Sequence, residues 1–313
     1  MAITKVALAG KGRLGSVVLD TLLKAGFTVT VLTRSALSLK DIPAGVQVRE
    51  VDYTSAESLQ AALSGHDAVV STVAGTAIAG QKPLIDASIA SGINHFIPAD
   101  YAMSLRSPEV RLLPPYTDVL EIENYLRARS DRISWTVIAC GGFLEYSFDL
   151  PFMIDFAQRR IDIVNGGGVP FSISDFGTVA KAILGVLRQP ERVVAHCVQV
   201  HGMLVTQQEV LEIAKKHSAD PNSWTVNEKE AQVKFNEGLD MLKRGVFTME
   251  AVSTLMAGVV WDAKYKTGFP ETDNEWLGIE GLPKERLEET IKRKVLDGVS
   301  GIASDTIVSN AQV

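Results

Sequence analysis

A glycine-rich turn near the start of the chain has the spacing of a phosphate-binding loop. A GxGxxG pattern occupies residues 10–15, directly after an apolar run and before a segment of helical periodicity. Glycine suits such a turn because it permits a tight bend and lets backbone amides approach a pyrophosphate. The N-terminus of the following helix then faces the negative charge. We therefore predict a dinucleotide site, with an ordinary glycine turn as the alternative. The predicted binding residues of the turn are Gly10, Lys11, Gly12, Arg13, Leu14 and Gly15.

A basic residue at the end of the next apolar run indicates which dinucleotide is bound. Arg34 follows the β-branched segment from Val29 to Thr33, at the place where an NAD site usually carries Asp or Glu for the ribose 2′-hydroxyl. An arginine suits the 2′-phosphate of NADP through charge-assisted hydrogen bonds, and Lys11 and Arg13 would add positive charge near it. The expected cofactor is NADP(H), with NADPH binding at least about tenfold tighter than NADH. A solvated strand-end charge is the alternative for Arg34.

The segments that would position these residues alternate between two periodicities. Short β-branched runs predict strands at residues 5–9, 28–33, 46–51, 68–72, 95–98 and 134–139, and longer segments predict helices near residues 14–24, 56–63, 83–91 and 117–129. This alternation is typical of a parallel sheet covered by helices. Residues 1–150 are therefore predicted to form a doubly wound, Rossmann-type α/β domain that binds the dinucleotide.

The second half of the chain is less regular. Its patterns predict helices over residues 176–187 and 207–217, a strand over residues 193–200 and a mostly helical stretch over residues 228–257. Residues 151–313 are accordingly predicted to form a smaller α/β region that binds the substrate and returns to the sheet.

Composition and charge exclude several classes of protein. The chain has 31 basic and 37 acidic residues and no dense run of Lys or Arg, so a nucleic-acid partner is not expected. The two cysteines form no CxxC pair and the five histidines show no HxxxH or HExxH spacing, so neither a disulfide framework nor a metal site is expected. No apolar run approaches the roughly 20 residues that span a bilayer, and no signal peptide is evident. We expect a cytoplasmic protein without a membrane partner.

Motifs beyond the glycine turn occur in an order that points to a family. They are Val51-Asp52-Tyr53, the segments Ala62 to Ser71 and Ile93 to Tyr101, Trp135-Thr136-Val137 and Gly141-Gly142-Phe143. With these motifs, most of the chain resembles the NmrA-like and isoflavone-reductase-like branch of the atypical short-chain dehydrogenases. The resemblance implies a Rossmann domain, bound NADP(H) and a substrate cleft between that domain and the C-terminal part. Reductase members often act on aromatic or phenolic substrates, whereas other members are dinucleotide-binding regulators.

The resemblance also implies which residues surround the nicotinamide end of the cofactor. Residues after the fourth strand are expected beside the nicotinamide ribose: Ser71, Thr72, Val73 and Ala74. Residues after the fifth and sixth strands are expected to border the nicotinamide: Pro98, Ala99, Asp100, Tyr101, Gly142 and Phe143.

Two positions depart from the family pattern. The turn of the family usually reads GxxGxxG, and its first glycine falls at Ala9, for which Gly10 is expected to compensate. Reductases of this branch carry a lysine as general acid and base on the helix before the sixth strand, and Val119 takes that place here. A valine cannot carry a proton. It equally fits a helix face, shared with Ile122 and Leu126, that packs on the sheet.

The missing lysine leaves the proton donor open. The candidates are the titratable residues after the fifth strand and along the helix that would carry the lysine: Asp100, Tyr101, Tyr116, Asp118 and Glu123. Asp118 equally suits a helix N-terminus, and Tyr101 an aromatic wall. The leading hypothesis is an NADPH-dependent oxidoreductase that reduces a carbonyl, imine or enone of a hydrophobic, aromatic or secondary-metabolite-like small molecule. A redox-neutral cyclase or isomerase and a non-catalytic dinucleotide sensor are the alternatives, and the oligomeric state stays open, including a homodimer.

Overall fold

Six parallel strands form the main sheet of the protein. The computed structural model describes residues 2–39, 41–101, 108–149, 153–193 and 196–297. The sheet has the order β3-β2-β1-β4-β5-β6, and every neighbouring pair is parallel. This order is that of a doubly wound Rossmann sheet, so the predicted fold class is confirmed. The strands are β1 (Lys5–Ala9), β2 (Thr28–Thr33), β3 (Gln47–Glu50), β4 (Ala68–Ser71), β5 (His95–Ile97) and β6 (Ser134–Trp135).

Helices cover both faces of this sheet because its strands are apolar on both sides. In β1, Val6 and Leu8 belong to one buried cluster and Ala7 and Ala9 to another, as expected when successive side chains point to opposite faces. The helices of this half are α1 (Arg13–Lys24), α2 (Ala56–Leu63), α3 (Lys82–Ala90), α4 (Pro108–Arg111) and α5 (Thr117–Arg127).

The predicted sixth strand is two strands, which corrects the sequence-based boundary. It breaks at Thr136, whose Oγ1 lies 2.9 Å from Nε2 of the buried His95. The part before the break pairs with β5, whereas β7 (Val137–Ala139) pairs with β11 (Cys197–Gln199) from the second half. The predicted strand over residues 193–200 is thereby confirmed for residues 197–199, and residues 194 and 195 lie outside the described residues. The pattern missed the break because both parts are apolar.

The second half builds its own core from short strands and helices. Its remaining elements are β8 (Gly142–Phe143), α6 (Leu144–Ser147), β9 (Arg160–Val164), β10 (Phe171–Ser174), α7 (Phe176–Arg188), β12 (Met203–Val205), α8 (Gln207–His217), β13 (Thr225–Lys229), α9 (Ala231–Lys243), α10 (Met249–Val260), α11 (Asn274–Leu277) and α12 (Lys284–Asp297). The predicted helices over 176–187, 207–217 and 228–257 are present, although β13 occupies the start of the last stretch. None of the helices in the described ranges has the length and apolar character needed to cross a bilayer.

Helix α7 links the two halves. Its buried residues Val179, Ile183 and Val186 pack in the same cluster as Val18 and Leu22 of α1. A helix from the second half therefore covers one face of the first sheet, next to the glycine turn. The division of the chain at residue 150 stays a prediction.

Candidate cofactor and active site

The glycine turn is held between the ends of β1, β2 and β4. Gly10 has a φ of +92°, a backbone conformation that residues with a side chain rarely adopt. Its amide donates to the Leu32 carbonyl at 3.3 Å, and its carbonyl accepts from Thr72 Oγ1 at 2.8 Å. Gly15 packs so tightly that an added Cβ would lie 2.4 Å from the Gly10 carbonyl oxygen. The positive φ at Gly10 lets the chain turn although Ala9 stands where the family has glycine.

Gly12 differs from the two packed glycines because it faces open space. It is the N-cap residue of α1, and a Cβ added to it would meet no atom within 4 Å. The amides at the start of α1 have no side-chain cap from Gly12. A helix N-terminus with free space in front of it can accept an anionic group.

A groove of about 870 Å³ opens in front of this turn. It is lined by seven of the predicted cofactor residues: Gly10, Lys11, Gly12, Arg34, Thr72, Val73 and Ala74. It is also lined by residues that sequence reasoning missed: Leu32, Thr33, Ser35, Leu39, Tyr53, Ala77, Gly80, Gln81 and Leu84. Tyr53 stands in one of the motifs that carry the family resemblance, and Thr33 and Ser35 flank Arg34. No pattern in the sequence pointed to the others.

Arg34 lies at the carboxyl end of β2 with its side chain exposed. Tyr53 also lines the groove, and burial raises the pKa of its hydroxyl to about 12. The positive charge of Arg34 opposes that rise. No Asp or Glu is among the described residues that line the groove. One carboxylate lies close by, since Glu50 of β3 accepts from the Ala36 amide at 2.8 Å. Sequence reasoning considered only the residues that follow β2 and so overlooked it.

Arg13 takes a different direction from the one expected. Its guanidinium lies 4.6 Å from the centre of the Tyr146 ring and 5.5 Å from that of Phe176. It therefore stacks between α6 and α7 by cation–π contact, and its side chain is not among those that line the groove. Leu14 is half-buried against the core and Gly15 is buried. At Leu14 and Gly15 the turn can therefore bind a ligand only through backbone atoms.

Two hydrogen bonds fasten the loop after β5 to the groove wall. Gln81 accepts from the Ala99 amide at 2.9 Å through its side-chain oxygen. The Tyr101 hydroxyl donates to the Ser71 carbonyl at the end of β4 at 2.8 Å. Burial raises the pKa of Tyr101 well above its ordinary value. Its proton is engaged with the backbone, which fits the aromatic-wall alternative. Pro98 and Ala99, the first two residues of this loop, are buried.

The residues after β7 bring an aromatic group to the same edge. Gly142 and Phe143 form β8, which pairs with Ile173 and Ser174 of β10. The Phe143 ring lies 6.0 Å from that of Tyr146 and 5.3 Å from that of Phe176, measured between ring centres. Both Phe143 and Tyr146 are half-buried. They can form an apolar wall beside the glycine turn.

The remaining acidic candidates separate into one exposed residue and one buried group. Asp118 is exposed in the first turn of α5, where its charge favours the helix N-terminus. Asp100 and Glu123 are buried at 4% and 6% exposure. Tyr116 is also buried, and its hydroxyl donates to Met256 Sδ at 3.6 Å. Val119 is half-buried against the core of the second half, whereas Ile122 and Leu126 pack in a cluster on the sheet, so the expected face shared by the three residues is wrong for Val119. Across the described residues, no group of three or more His, Cys, Asp and Glu side chains could hold a metal ion.

Comparison with known proteins defines the family. The sequence matches the model of the NmrA-like family over residues 4–243, and the protein therefore belongs to this family. Oxidoreductase aprR of Aspergillus flavus is 28% identical over 297 residues, which cover 93% of this chain and 98% of that protein.

Solved structures share the fold at low sequence identity. AtPrR2 with NADP+ and (+)pinoresinol superposes with a TM-score of 0.70 and 19% identity, covering 94% of this chain and 99% of that one. The binary complex of leucoanthocyanidin reductase with NADPH from Vitis vinifera gives a TM-score of 0.67 and 16% identity, covering 93% and 99%.

Proposed function

We propose that the protein is an NADP(H)-dependent oxidoreductase that acts on a hydrophobic small molecule. The observation that carries the proposal is the groove at the carboxyl edge of the parallel sheet, which joins the glycine turn to Arg34. Ligands of doubly wound folds bind at this edge. The names of oxidoreductase aprR and of leucoanthocyanidin reductase support the same activity, and the AtPrR2 complex contains NADP+.

The described residues fit the cofactor at both of its phosphate-bearing parts. The open space at Gly12 and the N-terminus of α1 suit the pyrophosphate. Arg34 suits the adenosine 2′-phosphate because its guanidinium can make charge-assisted hydrogen bonds to a dianion. Bound there, the cofactor would supply a hydride to the substrate. The chain itself would orient the substrate, exclude water and provide a proton.

The aromatic wall indicates the kind of substrate. Phe143 and Tyr146 present half-buried rings next to the cofactor turn, and rings of this kind favour a flat, apolar ligand through burial and stacking. The (+)pinoresinol complex among the structural neighbours is consistent with an aromatic ligand. We propose a carbonyl, imine or enone of an aromatic or secondary-metabolite-like compound.

A redox-neutral cyclisation or isomerisation is the second candidate. It is favoured by Val119, which packs in the core at the position where the resemblance places a lysine. Consumption of NADPH absorbance with substrate would support the reductase, whereas product formation at constant absorbance would support the second candidate. Tight cofactor binding without turnover would instead favour a dinucleotide sensor.

The cofactor assignment is tested by Arg34→Gln. We expect the wild type to bind NADPH at least about tenfold tighter than NADH. The variant should lose that preference, since a hydrogen bond to a charged group contributes about 1.5–3 kcal/mol, or roughly 10- to 150-fold in affinity. NADH affinity should change little. Dissociation constants from calorimetry measure both effects.

The matched control is Arg188→Gln, which removes the same charge from an exposed position in the last turn of α7. It should leave both affinities unchanged. Equal affinities of the wild type for the two coenzymes would remove Arg34 from this role, and no affinity for either would remove the proposed function.

A further inference from the structure

An ionic cluster with two buried carboxyl groups joins the residue after Ala99 to α4 and α5. It consists of Asp100, which follows β5, Glu123 of α5 and Arg111 of α4. Arg111 Nη2 donates to Glu123 Oε2 at 2.5 Å, and the guanidinium of Arg127 lies 3.8 Å from the same oxygen. Buried charges are costly unless they are paired. The two arginines supply that pairing for Glu123.

The Asp100 carboxyl has a different environment from that of Glu123. It forms a hydrogen bond with the Glu123 side chain. Two carboxylates cannot hydrogen-bond to each other without a proton between them, so one of the two acids must keep its proton. Glu123 Oε2 already accepts from Arg111, and burial raises the pKa of Asp100, so that proton is assigned to Asp100. The other Asp100 oxygen, Oδ2, is buried and has no hydrogen-bond partner among the described residues.

The groups around Asp100 do not offset its burial. Burial and the nearby Glu123 charge raise the pKa of Asp100 to about 7, and Arg111 opposes the rise only in part. Tyr116 and Cys140 also lie close enough to Asp100 for the pKa of each to be raised by its charge. Both are neutral at physiological pH and supply no positive charge. Tyr101 is neutral as well, with its hydroxyl directed to Ser71.

The cluster occupies the region that the family lysine would reach. Glu123 lies four residues after Val119 on α5, so the two side chains are neighbours on one helix face. Asp100 follows β5 in the loop held by Ala99 and Tyr101, and its charge acts on Cys140, which directly precedes the Gly141-Gly142-Phe143 segment. It is thus placed at the carboxyl edge of the sheet, where the substrate is expected.

We propose that Asp100 is the proton donor of the reaction in place of the lysine, and that Glu123 is a positioning residue that keeps Asp100 protonated while Arg111 fixes Glu123. This inference rests on the proposed NADPH-dependent reduction. The substrate carbon gains a hydride, and the π electron pair of its C=O bond moves to the oxygen. The O–H bond of Asp100 breaks and its proton bonds to that oxygen. Asp100 is left as a carboxylate and takes a proton from water.

The first test is the protonation state of Asp100 in the whole protein. Protein labelled with ¹³C at aspartate carboxyls should show one resonance that titrates near pH 7 and is missing in Asp100→Asn. Glu123→Gln removes the neighbouring negative charge and should move that midpoint to lower pH. Asp118→Asn is the control and should leave it unchanged. A midpoint for Asp100 in the ordinary range of a carboxylic acid would overturn the inference.

The second test separates proton donation from a purely structural role. With 9,10-phenanthrenequinone as an aromatic dicarbonyl probe, Asp100→Asn should lower kcat by about 10²- to 10⁴-fold while the dissociation constant for NADPH stays unchanged. Glu123→Gln should keep activity at low pH, and the alkaline decline of its kcat against pH should move to lower pH. Wild-type turnover by Asp100→Asn would overturn this inference alone. Failure of the wild type to bind NADPH would instead overturn the proposed function.

Discussion

Replacement of Asp100 by asparagine should change how the stability of the protein depends on pH. The pKa of this carboxyl is about 7 in the folded protein against an ordinary value of 3.8. The unfolded chain therefore releases the proton near pH 4, whereas the folded protein holds it until about pH 7. Between these values the folded state binds more protons, and stability falls as pH rises, by about 1.4 kcal/mol per pH unit.

Asparagine removes this dependence without removing the hydrogen bond, because its amide N–H can still donate to Glu123. As pH rises, the variant should become progressively more stable than the wild type. The difference between their free energies of unfolding should grow by about 3 kcal/mol between pH 5 and pH 8. Below pH 4 the contribution of the protonated carboxyl is fully present in the wild type and the difference between the two proteins is constant, and above pH 7 the difference should level off again.

Urea unfolding followed by far-ultraviolet circular dichroism at a series of pH values measures this difference. The matched control is Asp118→Asn, which removes an exposed carboxylate from α5 and should differ from the wild type by a constant amount. A difference for Asp100→Asn that stays flat across the same range would refute the assignment of the buried proton to Asp100.

Further outcomes follow from the glycine turn and from the loop after β5. Gly15→Ala should destabilise the protein by about 1–3 kcal/mol and abolish cofactor binding, because the new Cβ would lie 2.4 Å from the Gly10 carbonyl oxygen; thermal unfolding and calorimetry measure both. Gly12→Ala should keep the melting temperature but weaken NADPH binding, since its Cβ enters only the open space before α1; unchanged affinity would argue against a pyrophosphate there. Tyr101→Phe should cost about 1 kcal/mol of stability through loss of the hydrogen bond to Ser71 and leave turnover of 9,10-phenanthrenequinone within a few-fold of wild type; a loss as large as that of Asp100→Asn would make the tyrosine the donor.

Elements with strong local patterns were predictable from the sequence. The strand Thr28–Thr33 and the helices Ala56–Leu63 and Gln207–His217 have the predicted bounds, because each combines a clear periodicity with turn or cap residues at its ends. The paired strands Arg160–Val164 and Thr225–Lys229 were missed. The second of these is mostly exposed, so it lacks the apolar alternation that marks a strand, and its partner lies 65 residues away.

The cofactor end of the candidate site was also largely visible in the sequence. The turn and Arg34 each stand in a short local motif, and both line the groove. The direction of the Arg13 side chain was not predictable, because it depends on rings of Tyr146 and Phe176 that the fold brings to the turn. The groove wall at Gln81 was missed for the same reason, since its partner Ala99 belongs to another loop.

The amino-acid sequence by itself determined the doubly wound sheet, the glycine turn and the basic residue at the end of β2, since each depends on residues close together in the chain. Only the tertiary structure decided that Asp100 and Glu123 are buried together while Asp118, five residues before Glu123, is exposed to solvent. The physical reason is that a carboxyl group is perturbed by the burial and charges around it in space. The sequence lists these groups without their distances.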